Sequence, residues 1–252
     1  MIKFGQIVNI IKPADNGIYG AQVCKVYIKE LDYEVTAYTK QLSEQDLLVE
    51  IMAALIGRTI GLNIPEPIMA ASIDQQEIHF GSVALQFPDL THTIELQNGK
   101  PTNTPANMAM FKKLSEWQQM NHALTFDEWI ANSDRNLGNV LYDGKDNFHL
   151  IDHNQAMRPA FTVDAPVNNQ LMNVKMLFTQ DELSKQRLKN AIQVIVNEVN
   201  TGVPTHISSL LTKTYPSLKD DNLDNMVQFL ENRLTHLFNI SEQKILPRQM
   251  SL

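Results

Sequence analysis

The sequence is short of cysteine, of basic charge and of long apolar runs, and each shortage removes a class of function. With Cys24 as its only cysteine, the chain can form neither an internal disulfide nor a cysteine-based metal site, which suits a reducing cytoplasm. No apolar run approaches the roughly 18 residues that a membrane span requires. The opening stretch MIKFGQIVNI lacks the long apolar segment of a signal peptide, so a cytoplasmic location without a membrane span is expected. Lys and Arg number 21 against 28 Asp and Glu, a formal net charge of −7. Holding nucleic acid by its phosphates needs a clustered cationic excess, so no nucleic-acid partner is expected. There is no G-x-S-x-G element to suggest a serine hydrolase, and His122, His149 and His153 do not have zinc-site spacing.

What remains is enough to build a large core. The chain has 252 residues, 43% of them hydrophobic, sufficient for one large domain or two lobes sharing a cleft. The first half is β-rich. The runs QIVNII and AQVCKVYIKEL read as strands joined by the Pro-, Asn- and Gly-containing loop KPADNGIYG. Alternation puts Val23, Lys25, Tyr27 and Lys29 on one face of the second run and Cys24, Val26 and Ile28 on the other. Cys24 on the oily face is expected to pack rather than to react.

A helix is predicted next. Ser43 is placed to cap it, Leu47, Leu48, Ile51, Met52, Leu55 and Ile56 recur at helical spacing, and Gly61 ends it. Glu50, Ala53, Ala54, Gly57 and Gly61 form a second stripe, small beneath a carboxylate, that lets a backbone or ligand approach closely. Two further strand-like runs, EIHF and SVALQF, are separated by Gly81 and stopped by Pro88. The polar segment QNGKPTNTPAN, residues 97–107, then reads as an exposed connection between lobes. This divides the chain into an N-lobe at 1–96, the connection at 97–107, and a mainly helical C-lobe at 108–252. Within the C-lobe, Trp117 and Trp129 share helical spacing with Leu114 and Phe126, which points to core positions.

The stretch NSDRNLGNVLYDGKDNFHLIDHNQAM, residues 132–157, concentrates the chemistry. Val140 to Tyr142 and Phe148 to Ile151 flank DGKDN, a hairpin composition. Asp134 and Asn139 precede the first strand, and Asp152 follows the second. An antiparallel hairpin brings its outer ends together, so these three side chains should meet. A carboxylate and an amide oxygen there suit Mg²⁺, a hard cation that often completes its shell with substrate phosphates. The second carboxylate is then free to orient or deprotonate a hydroxyl. Taken singly, each Asn, Asp or Gly in this stretch could equally be a turn former.

The spacing from Asp134 to Asn139, followed by Asp152, matches the catalytic-loop and metal-binding elements of protein kinases. FDEWIANSDRNLGNVLYD with FHLIDH resembles the HipA-like kinases, and also the type II phosphatidylinositol 4-kinases. KVYIKEL and LLVEIMAALIGRTIGLNIPEP extend the resemblance to HipA-like domains, over roughly residues 20–160. It implies an α+β, two-lobed protein-kinase-like fold with a strand-rich N-lobe and a mainly helical C-lobe, using ATP and Mg²⁺. By position it makes Lys29 the lysine on the α/β-phosphates, Glu50 its helix partner, Asp134 the catalytic base, and Asn139 and Asp152 the metal ligands. Arg135 follows the catalytic Asp as in the phosphatidylinositol-kinase pattern. Gln86, Phe87, Pro88 and Asp89 become the hinge that meets adenine, and Gly17 and Gly20 the loop over the phosphates. These two glycines match G-x-G-x-x-G poorly, and His153 after Asp152 departs from D-F-G.

The expected activity is γ-phosphoryl transfer to a Ser/Thr hydroxyl of a protein substrate, in the manner of a toxin-type kinase with an antitoxin-like protein partner. The chain is shorter than full HipA toxins, which weakens the toxin inference relative to the fold. A phosphoinositide kinase and a catalytically silent nucleotide- or partner-binding module are the alternatives, and the acidic balance counts against the lipid kinase.

Overall fold

The structure, a computed structural model, describes residues 2–14, 20–214, 216–218 and 221–246. The N-terminal part is a closed five-stranded barrel in the order β1-β2-β3-β5-β4. Its strands are β1 (Lys3–Pro13), β2 (Gln22–Ile28), β3 (Tyr33–Lys40), β4 (Pro67–Ala71) and β5 (Ile78–Val83). All neighbours are antiparallel except β1 and β4, which run parallel. Alternation fills the barrel as expected: Cys24, Val26 and Ile28 of β2 meet Ala37, Ile68 and Ala70 in a fully buried cluster. Cys24 Sγ lies 3.1 Å from Thr39 Oγ1 inside this cluster, a packing position.

α1 (Glu44–Thr59) crosses between β3 and β4. Ser43 caps it, its Oγ accepting from the Asp46 amide at 3.2 Å. Gly61, at φ +85°, closes it: Leu62 N donates to Gly57 O and Gly61 N to Arg58 O, the pairing of a Schellman end. Every residue from Leu47 to Gly57 is buried, because the helix is sandwiched between the barrel and the helices of the second half. The small stripe serves both neighbours. A Cβ on Gly57 would overlap Ile64 Cδ1 and lie 3.1 Å from Phe126 Cζ, whereas Glu50 and Ala54 face the inter-lobe cleft.

YEVTAYTK adds a strand, β3, between the run carrying Lys29 and the helix. Two sequence expectations need correction here. Residues 78–83 form one strand through Gly81, which approaches Ile68 closely. The crossing between lobes comes earlier than 97–107. Ala84 N still bonds Thr36 O of the barrel, while Pro88 O already accepts from Tyr142 N of the second half. Segment 97–107 lies within the helical half and turns back on itself. Asn98 and Gly99, both at positive φ, make the tight turn between β6 (Leu96–Gln97) and β7 (Lys100–Pro101). Asn107 then fastens it, donating to Glu95 O and Thr102 O and accepting from Glu95 N.

The second half contains α2 (Pro105–Ser115), α3 (Met120–Trp129), the hairpin β8 (Val140–Tyr142) and β9 (Phe148–Leu150), then α4 (Gln170–Leu177), α5 (Glu182–Glu198), α6 (Val203–Thr214) and α7 (Asp221–Ile245). Trp129 is fully buried and its indole N–H donates to Leu230 O of α7 at 2.9 Å. One apolar cluster runs from α1 through α3 and the hairpin to α7, so a continuous core underlies both lobes.

Candidate active site

The cleft between barrel and helical half encloses about 910 Å³, within the range of small-molecule sites. Lys40, Glu50, Asp134, Asn139, Asp152 and His153 all line it. Asp134 and Asn139 arrive on the loop before β8 and Asp152 follows β9, so the hairpin brings their ends together as its register requires. Ile151 N donates to Asn139 O at 3.1 Å, closing that end.

The lysine that lines the cleft is Lys40. Lys29 sits in the tight turn after β2, exposed and away from the cleft. Lys40 ends β3, shares a face with Tyr38, and places its ammonium 2.9 Å from Asp152 Oδ1. The signal was in the sequence: a β-branched, aromatic strand ending in lysine just before a capped helix.

Glu50 is buried, and its nearest partner is His153 rather than a lysine. Its Oε2 accepts from the His153 backbone N–H at 2.7 Å, and the His153 Nδ1 lies 3.4 Å from Oε1. Burial alone would push this carboxyl up, but hydrogen bonding and charge from His153, with Lys40 further off, hold it below the ordinary value. The His153 ring meets Phe126 edge-on, centroids 5.7 Å apart.

Asn139 donates its Nδ2 to Asp134 O at 2.9 Å, which fixes the amide and leaves Oδ1 as the oxygen that could hold a cation. Among the described residues no three His, Cys, Asp or Glu side chains converge as a ready-made metal cage. Asp152 with Asn139 is the sparse oxygen set that suits Mg²⁺ sharing its shell with phosphates. Asn154, also lining the cleft, has a buried Nδ2 with no hydrogen-bond partner, a donor that a ligand oxygen can satisfy.

The hinge residues divide by side. Phe87, Pro88 and Asp89 line the cleft together with Leu85, while Gln86 is exposed and does not. Asp89 is occupied as a cap, accepting from the amides of Thr91 and His92. From Leu85 to Phe87 no backbone–backbone hydrogen bond is made among the described residues. Phe87 stacks obliquely with His149, centroids 5.4 Å apart. Of the two loop glycines, Gly20 holds φ +62° beside the cleft-lining Ala21; Gly17 lies outside the described residues.

Beneath the site is a polar network that the sequence did not announce. Arg135 is fully buried and points away from the cleft. Its Nε donates to Asp127 Oδ2 at 3.0 Å and its Nη2 to Asp127 Oδ1 at 3.1 Å, while Nη1 donates to Asn139 O at 2.8 Å and Ile151 O at 2.7 Å. Asp127 also accepts from Asn132 and Asn169. One guanidinium therefore ties α3 to both segments that carry the proposed metal ligands. A second set, Glu128 with Arg233 and Lys244, joins α3 to α7. Arg158 links to Asp46 at 2.7 Å, connecting the segment after Asp152 to the start of α1.

Comparison with known proteins identifies the family and the fold. A family model described as HipA-like kinase matches residues 7–238. The crystal structure of the Helicobacter pylori proinflammatory kinase CtkA is similar with a TM-score of 0.60 at 12% identity, covering 95% of each chain. At that identity the likeness concerns the fold: a strand-rich N-terminal region and a helical C-terminal region arranged as in a kinase. None of the curated proteins matches the sequence.

Proposed function

The chain belongs to the HipA-like kinase family, and from that premise we propose that it transfers the γ-phosphoryl group of Mg-ATP to a Ser/Thr hydroxyl of a protein substrate. The observation that carries this reading is the convergence of Lys40, Asp134, Asn139 and Asp152 on one cleft. Phosphoryl transfer asks little covalent chemistry of the protein; it asks for positioning and charge neutralisation. Lys40 supplies a cation for the phosphates, Asp152 and Asn139 hold the metal, and Asp134 orients the acceptor hydroxyl and takes its proton. The metal, when bound, neutralises charge on the phosphate oxygens. The backbone from Leu85 to Phe87 receives the adenine edge, with Leu85 and Phe87 against its faces.

The formal charge of −7 gives little attraction to an anionic lipid surface, which favours a protein over a lipid acceptor. An antitoxin-like partner belongs to the same proposal and rests on family membership alone. The test is transfer from labelled ATP with Mg²⁺ in an extract containing proteins and lipids, wild type against Asp152→Asn. Label on protein with wild type only is the expected result. Label in the lipid fraction would replace the substrate class. No transfer, together with no thermal stabilisation by ATP, would overturn the kinase activity.

A further inference from the structure

Asp152 holds φ at +58°, a left-handed conformation uncommon outside glycine, although Asn and Asp adopt it more readily than other residues. The turn is held from α1. The residue after Asp152 gives its backbone N–H to Glu50 Oε2 at 2.7 Å, and its imidazole lies 3.4 Å from Glu50 Oε1. The same imidazole is wedged edge-on against Phe126. Glu50 and His153 are almost wholly buried, at 2% and 1% exposure, so neither has water as an alternative partner. Lys40 is engaged elsewhere, 2.9 Å from Asp152 Oδ1.

We propose that Glu50 and His153 are positioning residues for the metal ligand Asp152: the Glu50 carboxylate accepts the His153 N–H, the ring is anchored on Phe126, and together they fix the turn that presents the Asp152 carboxylate. This rests on the Mg-ATP reading above and changes the role of Glu50 within it. The helix carboxylate acts on the metal side of the site rather than by orienting the phosphate-binding lysine. Groups that orient a ligand in this way typically change metal affinity by about 10–100-fold when lost.

The experiment measures Mn²⁺ affinity by electron paramagnetic resonance with a non-hydrolysable ATP analogue, and affinity for the same analogue without metal. Glu50→Leu removes the acceptor and is expected to weaken Mn²⁺ binding by about 10–100-fold, leaving metal-free analogue binding within about twofold. Glu50→Gln keeps an oxygen for the His153 N–H and is expected to retain Mn²⁺ affinity within about threefold, although it has lost the charge that would attract Lys40. Lys40→Met should do the opposite of Glu50→Leu and weaken metal-free analogue binding.

If Glu50→Gln loses as much as Glu50→Leu, and metal-free binding falls with it, Glu50 works through Lys40 and the proposal is wrong. Should Glu50→Leu fail to fold, His153→Ala decides. It keeps the N–H but not the wedge, and unchanged Mn²⁺ affinity in that variant would also overturn the idea. Asp152→Asn separates the two levels. If it leaves Mn²⁺ binding intact, the Mg-ATP reading itself has failed. If it weakens binding while Glu50→Leu does not, only the positioning role has.

Discussion

Replacing Asp127 by Asn is the most direct probe of how this site is held. The Asp127–Arg135 pair is completely buried on both sides. The two carboxylate oxygens receive Arg135 Nε and Nη2 and the side-chain amides of Asn132 and Asn169. An asparagine would turn an NH₂ towards donors and leave the guanidinium without a counter-charge. Breaking a buried pair from one side costs about 3–5 kcal/mol. For a chain of this size each kcal/mol moves the melting point by about 2–4 °C, so Asp127→Asn should melt about 6–20 °C lower. Differential scanning calorimetry and near-ultraviolet circular dichroism would both report it. The double variant Asp127→Leu with Arg135→Met removes both charges and should recover part of the loss. Arg135 Nη1 also holds Asn139 O and Ile151 O, so the single variant should lose phosphotransfer even well below its melting temperature. A melting point within about 2 °C of wild type would refute the argument that this pair organises the site.

Three other expectations follow from particular contacts. Lys40→Met should lower phosphotransfer by at least about 10²-fold, as loss of a charge-stabilising donor does, while Lys29→Met in its exposed turn should change it less than about twofold; equal losses would return the assignment to Lys29. Gly57→Val forces side-chain atoms into the contact with Phe126 and Ile64, and overpacking of this kind costs about 1–3 kcal/mol, measurable as a lower urea midpoint with unchanged slope. Asp181 caps α5 through the Ser184 amide and hydroxyl, and these bonds hold its carboxyl below the ordinary range. A depressed folded-state pKa contributes stability that is present above the usual Asp value and lost as pH falls through the lowered one. Amide exchange at residues 182–185 should therefore show more fraying in that acid window, and Asp181→Asn should remove the pH dependence.

Much of this was legible because it is local. Ser43, the apolar spacing of α1 and Gly61 define a helix within one short segment. DGKDN between two apolar runs defines a hairpin whose geometry alone brings Asp134, Asn139 and Asp152 together. β3 was harder because its inward side chains are Val35, Ala37 and Thr39, too small and too polar to stand out as an oily strand. Without β3, the lysine before the helix could only be sought on β2. The segment 97–107 misled for a related reason: its Asn-Gly pair encodes a tight hairpin rather than a linker, and the buried residue that fastens it, Asn107, is polar and so carries no hydropathy signal.

Arg135 shows where sequence adjacency stops being informative. It follows Asp134 directly, and a motif comparison draws both into one functional phrase. The loop between α3 and β8 is not a helix face, however, and the two neighbours leave it in opposite directions: Asp134 is exposed at the cleft and Arg135 is fully buried beneath it. Burying a guanidinium is costly unless its donors are satisfied, and the acceptors come from Asp127, Asn139 and Ile151, scattered along the chain. That requirement explains the polar density of residues 127–152 better than catalysis alone does. One subset of these side chains faces the ligand; another replaces water around a buried cation so that the first subset stays in place. Composition cannot separate the two subsets, because both draw on Asp and Asn for the same hydrogen-bonding capacity.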